Sequence, residues 1–376
     1  MKIKRLQLKN YRNYKRLDIE LSPGLNIFIG NNAQGKSNIL ESIFVLALTK
    51  SYINVKDQYL INVEGDFALL KADFVNGTVE NRLEVIITEN AKKLKINGAE
   101  IKKYCDYISR VKVLIFSPYN VNFVKDGPNT RRKSLNMVIS QFSNSYVKVL
   151  QNYNAVLKKR NQFLKSIDCF KEYNRFYFDA LNERFCALAV EIVLERNKFI
   201  TEINKVLSTI YEEITGYTGL YCKYSCNIEF SEIKETTLER FKIKMKSFFD
   251  REKACGMTLL GPHRDDFIFF LDGRELEVFG SQGQIRAAIL ALKLAELLIF
   301  KEKDGGYPIL LLDDIFSELD VEKRNKLIKY ILDDVQTIIT TTDIDLIDKS
   351  LIDKSKVFVV ENGEIIEDGK KECNYE

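Results

Sequence analysis

Gly30-Asn31-Asn32-Ala33-Gln34-Gly35-Lys36-Ser37 is the stretch on which the fold turns. Its spacing is G-x-x-x-x-G-K-[ST], and its flanks suit that pattern. Leu25, Ile27 and Ile29 alternate ahead of it and predict a strand ending at Gly30. Behind it, Ile39, Leu40, Ile43, Leu46 and Ala47 share one face of a helix that begins at Lys36. In that order, the loop's backbone N–H groups can wrap a polyphosphate while the positive end of the helix faces it. Lys36 would neutralise β/γ-phosphates, and the Ser37 hydroxyl would ligate Mg²⁺. A second stretch, Ile309-Leu310-Leu311-Leu312-Asp313-Asp314, reads as a strand buried on both faces and ending in two acids. In parallel sheets ligands sit outside the carboxyl ends of the strands. Asp313 would therefore hold Mg²⁺, directly or through water, and Asp314 would polarise an attacking water.

Working outward, the start of the chain reads as strand, turn, strand: Ile3, Leu6, Leu8, then Leu17, Ile19, Leu21, with Asn10-Tyr11-Arg12-Asn13-Tyr14 between them. Alternation at Ala68–Phe74, Asn81–Thr88 and Lys92–Ile96 predicts a meander, with a turn at Asn97-Gly98. Val111–Phe116 is the next strand. From Arg131 to Thr215 the pattern is long and helical, nearly free of Gly and Pro. Strand patterning returns at Leu220–Phe230 and Asp266–Phe279, the latter folded at Asp272-Gly273. A helix over Gln284–Phe300, a helix over Val321–Leu332 and strands at Thr337–Thr341 and Lys356–Val360 complete the reading.

Composition narrows the class. The 376 residues are 45% hydrophobic and 29% charged, which suits one or two packed domains and excludes disorder, collagen-like repeats and a disulfide mini-protein. Seven scattered cysteines and a start without an apolar leader core predict a reduced, cytoplasmic protein. The most apolar helix, Ala287–Phe300, is interrupted by Lys293 and Glu296, so no membrane span is expected.

Three smaller pieces refine the reading. Ser281-Gln282-Gly283-Gln284 opens a helix, with Ser281 as its N-cap, and presents a second anion-binding helix start. With one phosphate loop already serving the chain's own nucleotide, that start is most useful if it completes the site of another copy. Such an arrangement resembles the ATP-binding-cassette ATPases. Ser317-Glu318-Leu319-Asp320 looks like their dimer-contact loop. Thr340-Thr341-Thr342-Asp343 falls where they carry a switch histidine, a role that would pass here to a threonine. The resemblance implies an α/β fold: an ABC-type P-loop ATPase head from residues 1–120 and 255–376, with a mostly helical domain inserted at 121–254. The interval between Lys36 and Asp313 is too short for a long coiled coil. On this reading ATP contacts Gly30, Asn31, Asn32, Ala33, Gln34, Gly35, Lys36 and Ser37. Ser281, Gly283 and Gln284 meet it across a homodimer, Ser37 and Asp313 hold Mg²⁺, and Asp314 is catalytic.

Two further segments are more specific. Phe116-Ser-Pro-Tyr-Asn-Val-Asn-Phe-Val-Lys-Asp-Gly127-Pro128-Asn-Thr-Arg131-Arg132-Lys-Ser-Leu135 and Gly261-Pro-His-Arg-Asp-Asp-Phe267 resemble signatures of the RecF family of recombination-repair proteins. The opening Leu8-Lys-Asn-Tyr-Arg12-Asn-Tyr14 is also similar to that family. Where the family usually continues Arg-Arg with a Phe-Leu-Asp-like ending, this chain has Ser134-Leu135-Asn136. The resemblance implies a role in DNA replication, DNA damage repair and the SOS response. It implies ATP-dependent dimerisation and binding of duplex DNA near single-strand gaps, with RecR and RecO as partners helping RecA to load. A weak DNA-stimulated ATPase would serve as a release switch. An ABC transporter subunit and a non-hydrolysing, nucleotide-bound DNA scaffold are the alternatives.

Net charge is only +4, but its distribution is uneven. Asn129–Ile167 holds Arg131, Arg132, Lys133, Lys148, Lys158, Lys159, Arg160 and Lys165 with no Asp or Glu, an electrostatic footprint for a phosphate backbone. Arg12, in a loop near the phosphate site, either contacts nucleotide or is a surface arginine. His263, the sole histidine, reads as part of a rigid turn whose charged residues form an interdomain network. Cys222 and Cys226 would share one strand face, without the second pair that zinc requires.

Overall fold

Period-two patterning becomes strands β1 (Lys2–Tyr11), β2 (Tyr14–Glu20), β3 (Leu25–Ile29), β4 (Phe67–Asn76), β5 (Val79–Thr88), β6 (Lys92–Ile96), β7 (Ala99–Glu100) and β8 (Val113–Phe116). Later in the chain come β9 (Leu220–Ser225), β10 (Asp266–Leu271), β11 (Arg274–Glu275), β12 (Ile309–Asp313), β13 (Thr337–Thr341), β14 (Lys356–Glu361) and β15 (Glu364–Asp368). The longer helices are α1 (Lys36–Leu48), α2 (Pro128–Phe142), α3 (Asn144–Lys165), α4 (Glu172–Thr215), α5 (Lys234–Cys255), α6 (Gln282–Asp304) and α7 (Val321–Ile331). The computed structural model describes residues 1–53, 55–118, 123–166, 172–231, 233–331 and 335–368. They fall into two units, Met1–Asn122 with Glu212–Gly216 and Ile289–Glu376, and Phe123–Tyr211 with Tyr217–Ala288.

The first unit contains two six-stranded sheets. One is antiparallel, in the order β2-β1-β4-β5-β6-β7. The other runs β15-β14-β3-β13-β12-β8, parallel except for the β14–β15 hairpin. The inner strands of a parallel sheet are covered on both faces, which is why β12 is apolar up to its final Asp313 and every one of its residues is buried. Helix α1 packs against strands of both sheets. Accordingly, all of Ile39–Leu48 is buried and no polar face survives. Strand β13 lies between β3 and β12, with Thr340 paired to Phe28 on one side and Asp313 on the other. Because these strands are parallel, the loop leaving β3 and the acids leaving β12 emerge at the same edge of the sheet.

In the second unit, α2 packs on β10 of a small antiparallel sheet ordered β11-β10-β9. Rings of Phe123, Phe267 and Phe269 meet there at 5.6–6.3 Å. Strand patterning predicted through Phe279 stops earlier. Leu276–Phe279 is one helical turn, closed by Gly280 N–H donating to the Leu276 carbonyl at 3.0 Å, and only Leu276 of the turn is buried. Helix α5 lacks a sequence signature because its buried face is thin, just Thr237, Phe241, Met245 and Glu252 along 22 residues.

Candidate nucleotide site

The phosphate-type loop is held from outside by two turns. From the β1–β2 turn, Asn13 Nδ2 donates to the Gln34 carbonyl at 2.9 Å and Tyr14 OH to the Gly35 carbonyl at 3.1 Å. From the β14–β15 turn, the Asn362 amide donates to Gln34 Oε1 and the Gly363 amide to the Gln34 carbonyl. Two glycines of the motif are sterically required. A Cβ on Gly30 would lie 2.3 Å from the Val360 carbonyl oxygen; one on Gly35, at φ +114°, would lie 2.4 Å from Asn13 Nδ2. Asn31, Asn32 and Ala33 form the exposed tip.

Lys36 is buried, and its ammonium donates to the Gly30 and Asn31 carbonyls at 2.6 and 2.7 Å. Burial pulls its pKa below the usual lysine range, against the opposing pull of Asp314 and Asp313. Ser37 Oγ donates to Asp313 Oδ1 at 2.6 Å, which joins the loop to the end of β12. Asp313 is itself buried and takes two more hydroxyls: Thr340 on Oδ1 and Tyr52 on Oδ2, both at 2.8 Å. Thr340 also accepts the Asp314 amide at 3.1 Å. Asp314 sits at φ 48°, in the left-handed region that Asn and Asp tolerate best among side-chain-bearing residues. Its Oδ1 is buried with no hydrogen-bond partner among the described residues. Burial raises its carboxyl pKa, as do Asp313 and Glu318, while Ser317 and Lys36 oppose the shift.

This donor set fits a polyphosphate and its divalent cation. An ammonium satisfied only by loop carbonyls can exchange them for phosphate oxygens. Hydroxyl and carboxylate oxygens already 2.6 Å apart can both face a hard cation. An orphaned buried carboxylate oxygen marks a group kept for a ligand or a reaction.

Ser281, Gly283 and Gln284 belong to the second unit. They form a capping box at the start of α6: the Gln284 amide donates to Ser281 Oγ at 3.2 Å, and the Ser281 amide to Gln284 Oε1 at 2.8 Å. All of Ser281–Gln284 is exposed. Asp320 caps α7 through the Lys323 amide at 2.9 Å.

Other readings change with side chains in view. Arg12 is spent inside the fold, bidentate to the fully buried Glu41 at 2.8 Å for both contacts. The charged network joins the stretch expected as a helical insertion, residues 121–254, to the segment that follows it, and it lies inside the second unit. Arg131 pairs with Asp266 at 2.7 Å and Arg132 donates to the Asp265 carbonyl. Tyr224 OH donates to Asp265 Oδ2, and Arg196 donates to Asn136 and the Pro262 carbonyl. Every one of these residues lies in the second unit. His263 is locked there between Tyr153 OH on Nδ1 at 2.6 Å and the Thr258 carbonyl on Nε2 at 3.1 Å. Arg160, 1% exposed, pairs with the buried Glu252 at 2.6 Å and lies over the rings of Phe178 and Phe185. Two of the eight basic residues in the predicted footprint, Arg131 and Arg160, are thus interior ion-pair partners. Cys226 lies beyond the end of β9, so it does not share a strand face with Cys222. Residues 119–122 of the quoted Phe116–Leu135 segment lie outside the described residues.

Sequence reading missed Tyr52, the clamp from Asn13 and Asn362-Gly363, and the double duty of Thr340. Of these, only the Asn-Gly turn at 362–363 carries a local signal.

The family described as RecF/RecN/SMC N terminal domain matches residues 2–366. A DNA replication and repair protein RecF from Ligilactobacillus salivarius is 37% identical over 375 residues, covering 98% of both chains. Its counterpart from Halalkalibacterium halodurans is 38% identical over 377 residues, covering 98% of this chain and 100% of that one. The chain belongs to the RecF family. A solved structure of the recombination mediator protein RecF with ATP, from the RecFOR pathway, superposes on this RecF-family chain with a TM-score of 0.90 at 29% identity, covering 98% of each. A solved SMC head shares the fold, with a TM-score of 0.52 at 15% identity. The fold is an ABC-type ATPase head without a long coiled coil among the described residues. No described helix is long and apolar enough to cross a membrane.

Proposed function

We propose that this RecF-family chain is an ATP-controlled DNA clamp of recombinational repair. ATP would occupy the loop Gly30–Ser37, with Lys36 turned from the loop carbonyls onto the β/γ-phosphates. Ser37 and Asp313 would hold Mg²⁺, which supplies charge neutralisation of the phosphates when bound. Asp314 would accept a proton from the attacking water, and its unpartnered buried oxygen is the observation that carries this assignment. Two copies would close so that each Ser281–Gln284 helix start meets the nucleotide of the other. The exposure of that capped helix start supports the arrangement.

The closed pair would grip duplex DNA near single-strand gaps in the cytoplasm and act with RecR and RecO to help RecA load. Slow, DNA-stimulated hydrolysis would release it. Light scattering with ATP, Mg²⁺ and short duplex DNA tests the closure: the parent should double in mass, and Ser281→Arg should remain a monomer that still binds ATP. A normal ATP-induced dimer of Ser281→Arg would overturn the shared-site arrangement.

A further inference from the structure

Asp313 receives three hydroxyls, and they come from different parts of the first unit: Ser37 from the start of α1, Thr340 from β13, and Tyr52 from the segment after α1. The three are not equivalent. Ser37 and Thr340 share Oδ1, whereas Tyr52 holds Oδ2 at 2.8 Å. A cation seated between Ser37 and Asp313 would require the Ser37 hydroxyl to turn from donor to ligand. The other two hydroxyls could stay in place. With Thr340 on one oxygen and Tyr52 on the other, the carboxylate cannot rotate about its Cβ–Cγ bond. The Tyr52 ring is itself braced, edge-on to Phe44 of α1 at 5.5 Å and 80°. Phe44 lies on the helix that begins with Lys36 and Ser37, so one rigid element positions both the cation's hydroxyl ligand and the ring that aims the phenol.

We propose that Tyr52 is a positioning residue that fixes the carboxylate plane of Asp313 for the nucleotide's divalent cation. The inference rests on the nucleotide-binding reading above and adds a residue to it. Partners of metal-ligating carboxylates are worth about 10–100-fold in metal affinity. Tyr52→Phe keeps the ring against Phe44 and deletes only the phenol.

The experiment titrates Mg²⁺ against binding of a fluorescent N-methylanthraniloyl-ATP, with a parallel titration in EDTA and a thermal melt. Tyr52→Phe should raise the half-saturating Mg²⁺ concentration about tenfold. Binding in EDTA should match the parent, and the melting temperature should fall by no more than about 4 °C, the effect of one lost hydrogen bond. An unchanged Mg²⁺ requirement overturns the inference, as does a loss of affinity that is equal with and without Mg²⁺, which would mark a packing role. A parent that binds no nucleotide at any Mg²⁺ concentration overturns the nucleotide reading itself. That result is distinct from parental binding with an indifferent Tyr52→Phe.

Discussion

Asp314→Asn separates chemistry from folding at a single atom pair. The aspartate holds a buried, unpartnered Oδ1 close to a second buried carboxylate, at a backbone φ of 48°. Asparagine has the same shape, tolerates the left-handed region and removes the negative charge. If Asp314 takes the proton of the attacking water, its loss removes a general base. That contribution is typically 10²–10⁴-fold, or about 3–5 kcal/mol of barrier. The folded state should benefit instead. Leaving a buried polar group unsatisfied costs about 1–3 kcal/mol, and an amide avoids the part due to charge, so a gain on the order of 1 kcal/mol is expected. Because burial raises the Asp314 pKa, the unfolded chain releases this proton first, near the ordinary 3.8. The advantage of asparagine is therefore absent below that pH and grows as pH rises through the folded value. Single-turnover phosphate release, with and without duplex DNA, measures the first effect. Denaturant unfolding at neutral and acidic pH measures the second. Hydrolysis at the parental rate would refute the catalytic assignment. A clear loss of stability at neutral pH would show that the carboxylate is a structural cap and not a strained reactive group.

Lys36→Ala should weaken ATP binding on the order of a hundredfold, through two lost charge-assisted hydrogen bonds, as read by equilibrium fluorescence. Arg160→Ala strands the buried Glu252 and should cost about 3–5 kcal/mol in denaturant unfolding. Burial lowers the His263 pKa from 6.5 to about 4, so the fold keeps the ring neutral while the unfolded chain protonates it. Stability present above pH 6.5 should fall by roughly 2 kcal/mol between pH 7.5 and 5, and His263→Gln should flatten that slope in urea titrations. Changing Lys148, Lys158, Lys159 and Lys165 together to Gln should flatten the salt dependence of duplex binding by up to about 3.6 in log–log slope, measured by anisotropy; an unaltered slope removes these lysines from the interface.

The sheet edge that carries the site was legible because its strands obey simple rules. β3 and β12 are short, mostly apolar strands, and each gives way to residues that break the apolar pattern: Gly30 just after one, Asp313 and Asp314 at the end of the other. Pairings across long sequence gaps left no such trace. Tyr52 is one aromatic in a polar segment, and its meeting with Asp313 is a property of how α1 lies against β12. Arg12 looked available for nucleotide because nothing nearby in sequence neutralises it. Its partner, Glu41, sits on the hidden face of a helix whose apolar neighbours disguise a buried acid. Helix α5 escaped for the opposite reason: its charged residues so outnumber the few that pack that periodicity is lost in them.

The basic segment Asn129–Ile167 shows why a charge count in sequence is not a surface charge. Its three arginines turn inward: Arg131 and Arg160 are buried in ion pairs, and Arg132 is half-buried against a backbone carbonyl. Its five lysines are all exposed. The division follows from the two side chains. A guanidinium is weakly hydrated and presents a planar fork of donors, so it can be buried if carboxylates, carbonyls and ring faces meet it; an ammonium holds its water more tightly, and those of this segment stay outside. The positive surface that this segment offers a polyanion is therefore made of point charges on flexible stems, without arginine's bidentate fork. Such charges bind phosphates without reading bases. A polyanion meeting this segment would therefore be held by charge without bidentate geometry, because the segment's own arginines are engaged inside the second unit.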